Sequence, residues 1–193
     1  MNKRTHSSAR IRAALRIISR AQAQGGKRKQ YHGAWIDGPT GAAFTDGYTL
    51  VRLCTDAPEL PHVEPGGQFD PASFFARAAK SADKNGWAQL ELPTVPELKE
   101  WIRDHGGRRA AQNASYTLGG AVLVNPAYLL DVLEILGPGA RAALPASPCE
   151  PVIIWANVER QDGADAILYP ILPSIDKHGD AARAVIDFWD RRR

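Results

Sequence analysis

The chain has 193 residues, of which 44% are hydrophobic, and a chain of this size can bury one sizeable core or two small ones. No apolar run approaches the roughly 20 residues that a membrane-spanning helix needs, and the basic N-terminus lacks the apolar stretch of a signal peptide. We therefore expect a soluble, cytoplasmic protein without a membrane partner. The formal net charge is only +3, but Lys and Arg cluster at residues 3–20, 27–29 and 191–193, and such clusters attract polyanions.

The first predicted element is an amphipathic helix at residues 8–24, whose apolar side chains recur at the helical period of 3.6 residues. One arginine per turn falls on its opposite side: Arg12, Arg16 and Arg20. Gly25 and Gly26 end this helix, and residues 31–36 predict a strand. Residues 42–53 predict a β-hairpin, because an Asp-Gly pair lies between two β-forming runs.

A second helix of the same kind is predicted at residues 70–82. Asp70 has the N-cap position and Pro71 the first helical position. Phe and Ala residues form its apolar face, and its polar face carries three cations: Arg77, Lys80 and Lys84. Residues 87–92 predict a strand that closes the first half of the chain.

The second half predicts further helices and strands. Thr94 and Glu97 have the spacing of a capping box and open a short helix. Asn125 and Pro126 open another helix, which ends before Gly137. Strands are predicted at residues 115–124, 140–145, 151–157 and 165–172, and a short amphipathic helix follows near the C-terminus. Antiparallel strands combined with helices that have one apolar face are typical of α+β proteins.

Two of the predicted helix starts are alike in sequence. Residues 70–75 (DPASFF) and 125–130 (NPAYLL) share a capping residue, a proline, an alanine and an apolar pair. Each follows a short predicted strand. This weak repeat favours two related α+β units.

The order of these elements, and three of their sequences, resemble the bacterial replicative sliding clamp, the beta subunit of DNA polymerase III. FTDGYTLVRL at residues 44–53 is similar to the clamp's middle domain, and VNPAYLLDVLEIL at 124–136 with ILYPILP at 167–173 is similar to its last domain. The resemblance implies a DNA-clamp fold of two tandem domains, each an antiparallel sheet with helices on one face. The implied domains are residues 1–92 and 93–173, followed by a helical extension at 174–193.

The resemblance also implies a function. A sliding clamp encircles duplex DNA, reads no sequence and acts as a processivity factor in DNA replication. Three copies of a two-domain chain would close such a ring, so we expect a homo-oligomer. A ring needs inward-facing helices with cations near the phosphates, and no base contacts. The cations that meet this requirement are Arg12, Arg16, Arg20, Arg77, Lys80, Lys84 and Arg103.

Sliding clamps bind partner peptides, such as those of a polymerase or clamp loader, in a pocket between their middle and last domains. An apolar slot with a polar rim suits an extended peptide. Carried over to this sequence, the hairpin supplies Thr45, Tyr48 and Leu50, the linker supplies Pro93 or Pro96 with Leu98, and the terminal strand supplies Tyr169, Pro170 and Ile171. The extension after Pro173 is a departure from the family, and we expect it to lie near this pocket.

The sequence contains no recognisable catalytic motif. Its five histidines have no metal-ligand spacing, and a phosphate-binding glycine loop and a nucleophile elbow are both absent. Cys54 and Cys149 also lack partners at metal-ligand spacing, and we interpret both as reduced structural thiols. We predict neither an active site nor a cofactor.

Three functional hypotheses follow from the sequence. The first is a clamp that encircles duplex DNA and tethers a replication protein. The second is an adaptor with the clamp fold that keeps the peptide pocket but not the ring. The third is an unrelated α+β protein that binds DNA directly through the arginine stripe at residues 12–20.

Overall fold

The structure is a computed structural model that describes residues 8–24, 33–37, 41–55, 57–63, 70–156 and 164–192. The helices within these ranges are α1 Ser8–Ala23, α2 Pro71–Asp83, α3 Val95–Asp104, α4 Gly107–Ala111, α5 Pro126–Leu136 and α6 Ile175–Asp190. The strands are β1 Trp35–Asp37, β2 Gly41–Thr45, β3 Thr49–Leu53, β4 Gln89–Leu90, β5 Tyr116–Leu118, β6 Val122–Val124, β7 Arg141–Ala143, β8 Val152–Trp155 and β9 Ala164–Leu168. The protein therefore belongs to the predicted α+β class.

The main sheet has the strand order β1-β2-β3-β9-β8-β7-β4, and every neighbouring pair is antiparallel. Its centre is the pairing of β3 with β9, in which Thr49 lies opposite Leu168 and Leu50 opposite Ile167. On each side of this pairing, three consecutive strands follow one helix in the chain, α1 before β1 to β3 and α5 before β7 to β9. Six of the seven strands thus belong to two similar helix-plus-three-strand units, and β4 pairs with β7 at one edge.

The domain boundary predicted between residues 92 and 93 falls inside this assembly. Strands from both sides of the boundary share the main sheet, and one apolar core contains Ala13 and Phe44 from the first half with Leu130 and Leu168 from the second. The reason is that α1 and α5 pack against each other on the same face of the sheet. The described residues of the two predicted domains therefore form one packed unit, with α5 equivalent to α1 and not to α2.

The two faces of the sheet are covered by different helices. On the paired-helix face, α1 and α5 bury side chains such as Phe44 and Val51. On the opposite face, which we call the α2 face, Phe75 of α2 packs on Leu50 and Ile167. Successive residues of a strand point to opposite faces, so neighbours such as Leu50 and Val51 belong to different layers.

The helix starts predicted from capping residues are confirmed. The Asp70 side chain accepts a hydrogen bond from the backbone of Ala72 at 3.0 Å, and Pro71 begins α2. Thr94 and Glu97 form the capping box of α3. Asn125 caps α5 through the backbone N–H of Ala127 at 3.0 Å. These local signals act within one turn of chain, so they depend little on the tertiary fold.

The predicted strands differ more from the structure. The strand predicted at 87–92 is reduced to β4, because the chain is still leaving α2 at Trp87. The strand predicted at 31–36 is seen only as β1, and residues 31 and 32 lie outside the described part of the chain. Cys54 and Cys149 are both exposed, so neither packs in the core.

The C-terminal helix α6 packs on the β5–β6 hairpin. Ala182 and Val185 form an apolar cluster with Leu123, and the Trp189 indole donates a hydrogen bond to the carbonyl of Ala121 at 2.7 Å. Gly179 kinks the helix with φ 52° and ψ −129°. No helix within the described ranges has both the length and the apolarity to cross a membrane.

Candidate functional site

The predicted hairpin turn is held by its own side chains. Asp46 Oδ1 accepts hydrogen bonds from the backbone of Tyr48 at 3.0 Å and of Thr49 at 2.7 Å. The Thr45 hydroxyl donates to the carbonyl of Thr49 at 2.6 Å and accepts from the N–H of Gly47 at 3.0 Å. Gly47 has φ 89°, a conformation that favours glycine. The Thr-Asp-Gly sequence is therefore what this turn requires.

The same aspartate begins a network of ion pairs between the turn, α1 and α5. Arg20 Nε donates to Asp46 Oδ2 at 2.6 Å, and Arg20 Nη1 donates to Asp131 Oδ2 at 2.5 Å. Arg16 Nε donates to Asp131 Oδ1 at 2.7 Å and also pairs with Glu134. The remaining members of the network are Arg108, which pairs with Asp131, and Lys99, whose Nζ lies 2.7 Å from Glu134 Oε1.

Burial controls the electrostatics of this network. Asp131 is 0% exposed, and the side chain of Arg20 lies over the Tyr128 ring at 4.3 Å from its centroid. Burial alone would lower the pKa of Arg20, but the charges of Asp46 and Asp131 outweigh it and the pKa is raised. Burial alone would raise the pKa of Glu134, but hydrogen bonds and charges from Lys99 and Arg16 outweigh it and the pKa is lowered.

Two arginines of the stripe predicted to line a DNA channel are ion-paired within the protein. Arg16 and Arg20 are held by carboxylates of α5 and of the turn, while Arg12 is exposed. The helix wheel placed all three on one polar side, but it could not show that Asp131 and Glu134 of α5 lie against that side. Two of the three predicted phosphate contacts on α1 are thus engaged in internal ion pairs.

The other predicted DNA contacts lie on α2 and its C-cap Lys84, and on α3. Arg77, Lys80 and Lys84 are exposed on α2, across the sheet from α1. Arg103 is exposed on α3, where it pairs with Glu100 at 3.0 Å. The seven predicted cations are therefore dispersed over several surfaces, and they do not form one lining.

Part of the predicted peptide pocket is brought together. The backbone N–H of Tyr169 donates to the carbonyl of Tyr48 at 2.9 Å, so the hairpin turn and the Tyr-Pro segment are neighbours. The next residues of that segment continue to β6, where the N–H of Ile171 donates to the carbonyl of Leu123 at 2.8 Å. Thr45 and Leu50 are buried and serve the turn and the apolar layer under α2.

The two linker residues lie elsewhere. Leu98 is completely buried in the core under α3. Pro93 lines a separate cavity of about 510 Å³, together with Pro96, Pro138 and the Lys99–Glu134 pair. Pro93 comes shortly after β4 in the chain, and in the sheet β4 is separated from β9 by β8 and β7. The linker side of the predicted pocket therefore does not meet the Tyr-Pro segment through the sheet.

Two exposed apolar residues in the segment after Pro170 were missed by the sequence reasoning. Tyr48 is 53% exposed and packs on Tyr128 with ring centroids 5.9 Å apart. Leu172, which is 66% exposed, and Ile175, which is 46% exposed, lie two and five residues after Pro170. In the sequence, only their position in or beside the ILYPILP motif at residues 167–173 could have pointed to them.

The described part of the chain contains no group of three His, Cys, Asp or Glu residues that could hold a metal ion. Comparisons with models of known families, with curated proteins and with solved structures found no match to this chain.

Proposed function

We propose that this chain is a clamp-like adaptor, which binds an extended apolar segment of a partner protein and does not encircle DNA. The binding surface comprises the hairpin turn and the segment that follows β9, and we call it the tyrosine–proline surface. Its members are Tyr48, Pro170, Leu172 and Ile175, while the Tyr169 ring packs on the α2 face with Leu50 and Phe75.

The observation that carries the proposal is the contact between the carbonyl of Tyr48 and the N–H of Tyr169. The two sequences that most resemble a clamp's peptide pocket are far apart in the chain, yet they are adjacent here. The duplicated helix-plus-three-strand arrangement is also in keeping with a clamp-like fold. Tyr48 is exposed at this contact, and the exposed Leu172 and Ile175 lie farther along the segment that contains Tyr169. Exposed apolar side chains of this kind suit a protein partner, because apolar patches on soluble proteins are characteristic of interaction sites.

The ring hypothesis is less favoured for an electrostatic reason. A channel lining needs cations that are available to phosphates, and Arg16 and Arg20 are neutralised by Asp131, Glu134 and Asp46. Helix α5, the equivalent of α1 in the other unit, is buried along most of its length. An adaptor needs neither available cations on α1 nor an exposed α5.

The proposal can be tested with a peptide library displayed on phage. Peptides are selected on the full chain, and the affinity of the enriched peptides is then measured for Tyr48→Asp and Leu172→Asp variants. A charge placed in an apolar contact must be desolvated, so we expect affinity to fall by about tenfold or more. The matched control is Leu15→Asp, which charges an exposed leucine on α1 and should leave affinity unchanged.

Enriched peptides that bind both surface variants as well as the unchanged chain would contradict the proposal. So would a trimeric mass in solution together with retention on closed circular DNA, because that result identifies a ring.

A further inference from the structure

A second candidate site is the cavity that Pro93 lines, which we call the proline cavity. Residues from the first turn of α1, the first turn of α3 and the end of α5 surround it, and its volume is about 510 Å³. Small-molecule sites have volumes on the order of 300–1,000 Å³ and mostly apolar walls with a few polar groups. The walls of this cavity fit that description, since their larger apolar residues are Leu92, Pro93, Val95, Pro96, Leu133 and Pro138.

The walls of the proline cavity are held in place by local structure. A proline ring fixes the backbone angle φ, and three prolines line the cavity: Pro93, Pro96 and Pro138. The first turn of α3 is also fixed by the capping box that Thr94 forms with Glu97. A ligand therefore meets a largely preformed site, and little of its binding free energy is lost in ordering the protein.

The polar edge of the cavity belongs to the ion-pair network, because Lys99 and Glu134 both line it. This network has three carboxylates and four cations. Its members are Asp46, Asp131 and Glu134 on the one hand and Arg16, Arg20, Arg108 and Lys99 on the other. The network thus carries one positive charge in excess. Lys99 has the most exposed of the four cationic side chains, at 55%, so the excess charge is most accessible at the cavity.

Lys99 can donate to a ligand without leaving a carboxylate unpaired. Its ammonium group has three N–H donors, and its partner in the described structure is Glu134 at 2.7 Å. Glu134 is also paired with Arg16 through its other carboxylate oxygen. An anion beside Lys99 therefore leaves Glu134 with a cation of its own, and the charge of that anion offsets the excess of the network.

We propose that the proline cavity binds a small aliphatic monocarboxylate. The hydrocarbon chain lies between the proline and leucine walls, and the carboxylate accepts hydrogen bonds from the ammonium group of Lys99. Burial of the chain supplies most of the affinity, while the charge-assisted hydrogen bond fixes the orientation of the ligand. The site is separate from the tyrosine–proline surface and does not depend on the proposed adaptor function.

Three features favour this ligand class over others. No aromatic side chain among the described residues lines the cavity, so its walls suit an aliphatic chain better than a flat ring that gains from aromatic contacts. One excess charge matches one carboxylate, whereas a phosphate monoester carries close to two charges at neutral pH and would place the second beside Glu134. An amine would meet Lys99 as a like charge.

The test is isothermal titration calorimetry of the full chain with octanoate and with two shorter carboxylates, heptanoate and hexanoate. Each methylene buried in an apolar site adds a similar increment of binding, so we expect affinity to fall by about fourfold for each methylene removed. The neutral counterpart 1-octanol should bind about tenfold more weakly than octanoate, because it lacks the charge-assisted hydrogen bond to Lys99.

Two substitutions separate the effect of charge from that of shape. Lys99→Met removes the ammonium group but keeps an unbranched side chain, so octanoate should lose about tenfold in affinity while the affinity for 1-octanol is unchanged. A merely structural effect would weaken both ligands alike. Ala9→Leu enlarges a cavity-lining side chain at an exposed position of α1, and should weaken both ligands by about tenfold or more. The matched control, Lys80→Met on α2, should change neither affinity.

Four results would overturn the proposal: no binding of octanoate at millimolar concentration, equal affinity for octanoate and 1-octanol, no effect of Ala9→Leu, or tighter binding of octylamine than of octanoate. The last result would make Glu134 the ligand partner in place of Lys99. Melting temperatures verify that each variant is folded. The Tyr48→Asp variant of the tyrosine–proline surface should bind octanoate as the unchanged chain does, so the two proposals fail independently.

Discussion

Helices α1 and α2 carry similar charge patterns, yet the structure uses their cations in different ways. Each has three basic residues on the side opposite its apolar face, one per turn or nearly so. On α1, Arg16 and Arg20 reach carboxylates of α5 and of the hairpin turn. On α2, all three cations are exposed to solvent. A basic stripe in a sequence therefore indicates a polar helix side, but not whether that side faces solvent or another helix.

The difference arises from what packs beside each helix. Helix α1 lies against α5, which carries Asp131 and Glu134 on the side that meets α1. Helix α2 packs mainly on strands β8 and β9 among the described elements, and the cations of its polar side are exposed. Because a buried carboxylate needs cations and hydrogen bonds to offset the loss of solvation, the arginines of α1 become part of the fold. Arg77, Lys80 and Lys84 remain exposed to solvent.

The largest expected effect comes from removing the carboxylate at the centre of the network. Asp131→Asn leaves Arg16, Arg20 and Arg108 facing one another with a charge partner missing in a buried site. We expect the free energy of unfolding to fall by about 3–5 kcal/mol, measured by urea denaturation. The matched change on the α2 face is Asp165→Asn, which breaks a partly exposed pair with Arg52 and should cost at most about 1 kcal/mol. Equal losses of unfolding free energy for the two variants would contradict the prediction that the ion pairs of Asp131 stabilise the protein more than the pair on the α2 face.

A smaller change in stability is expected when Glu134 is protonated in acid. The pKa of Glu134 is lowered from its ordinary value of 4.5, since its bonds and charges with Lys99 and Arg16 outweigh burial. A carboxylate with a depressed pKa in the folded state stabilises the protein above its unfolded pKa, and this contribution is lost as the pH falls below about 4.5. We expect Glu134→Gln to be less stable at neutral pH by about 1 kcal/mol and to lose less stability in acid. Parallel pH profiles of melting temperature for the two proteins would refute this role.

The smallest effect is expected from reversing a charge on α2. Lys80→Glu should change the free energy of unfolding by no more than about 0.5 kcal/mol, because its side is exposed. The corresponding reversal on α1, Arg16→Glu, puts a third carboxylate beside Asp131 and Glu134 and should destabilise the protein clearly more. Thermal unfolding of both variants makes this comparison directly, and similar melting temperatures would show that α1 is as exposed as α2.

Sequence reasoning predicted local features of the fold well. The N-caps Asp70, Thr94 and Asn125 and the turn at Asp46 are all observed, since each depends on hydrogen bonds within a few residues. It placed the hairpin beside the Tyr169-Pro170 segment only through a family resemblance. The positions of Pro93 and Leu98 were not predictable in this way, because they depend on strand order in the sheet.

The amino-acid sequence by itself determined where helices and turns begin, the α+β class and which side of each helix is polar, because these follow from local hydrogen bonding and from the period of apolar residues. Only the tertiary structure decided that the two halves share one sheet, that Asp131 holds Arg16 and Arg20 inside, and that Lys99 and Glu134 pair at the edge of a cavity between three helices. These outcomes rest on contacts between residues far apart in the chain, and no local pattern specifies them.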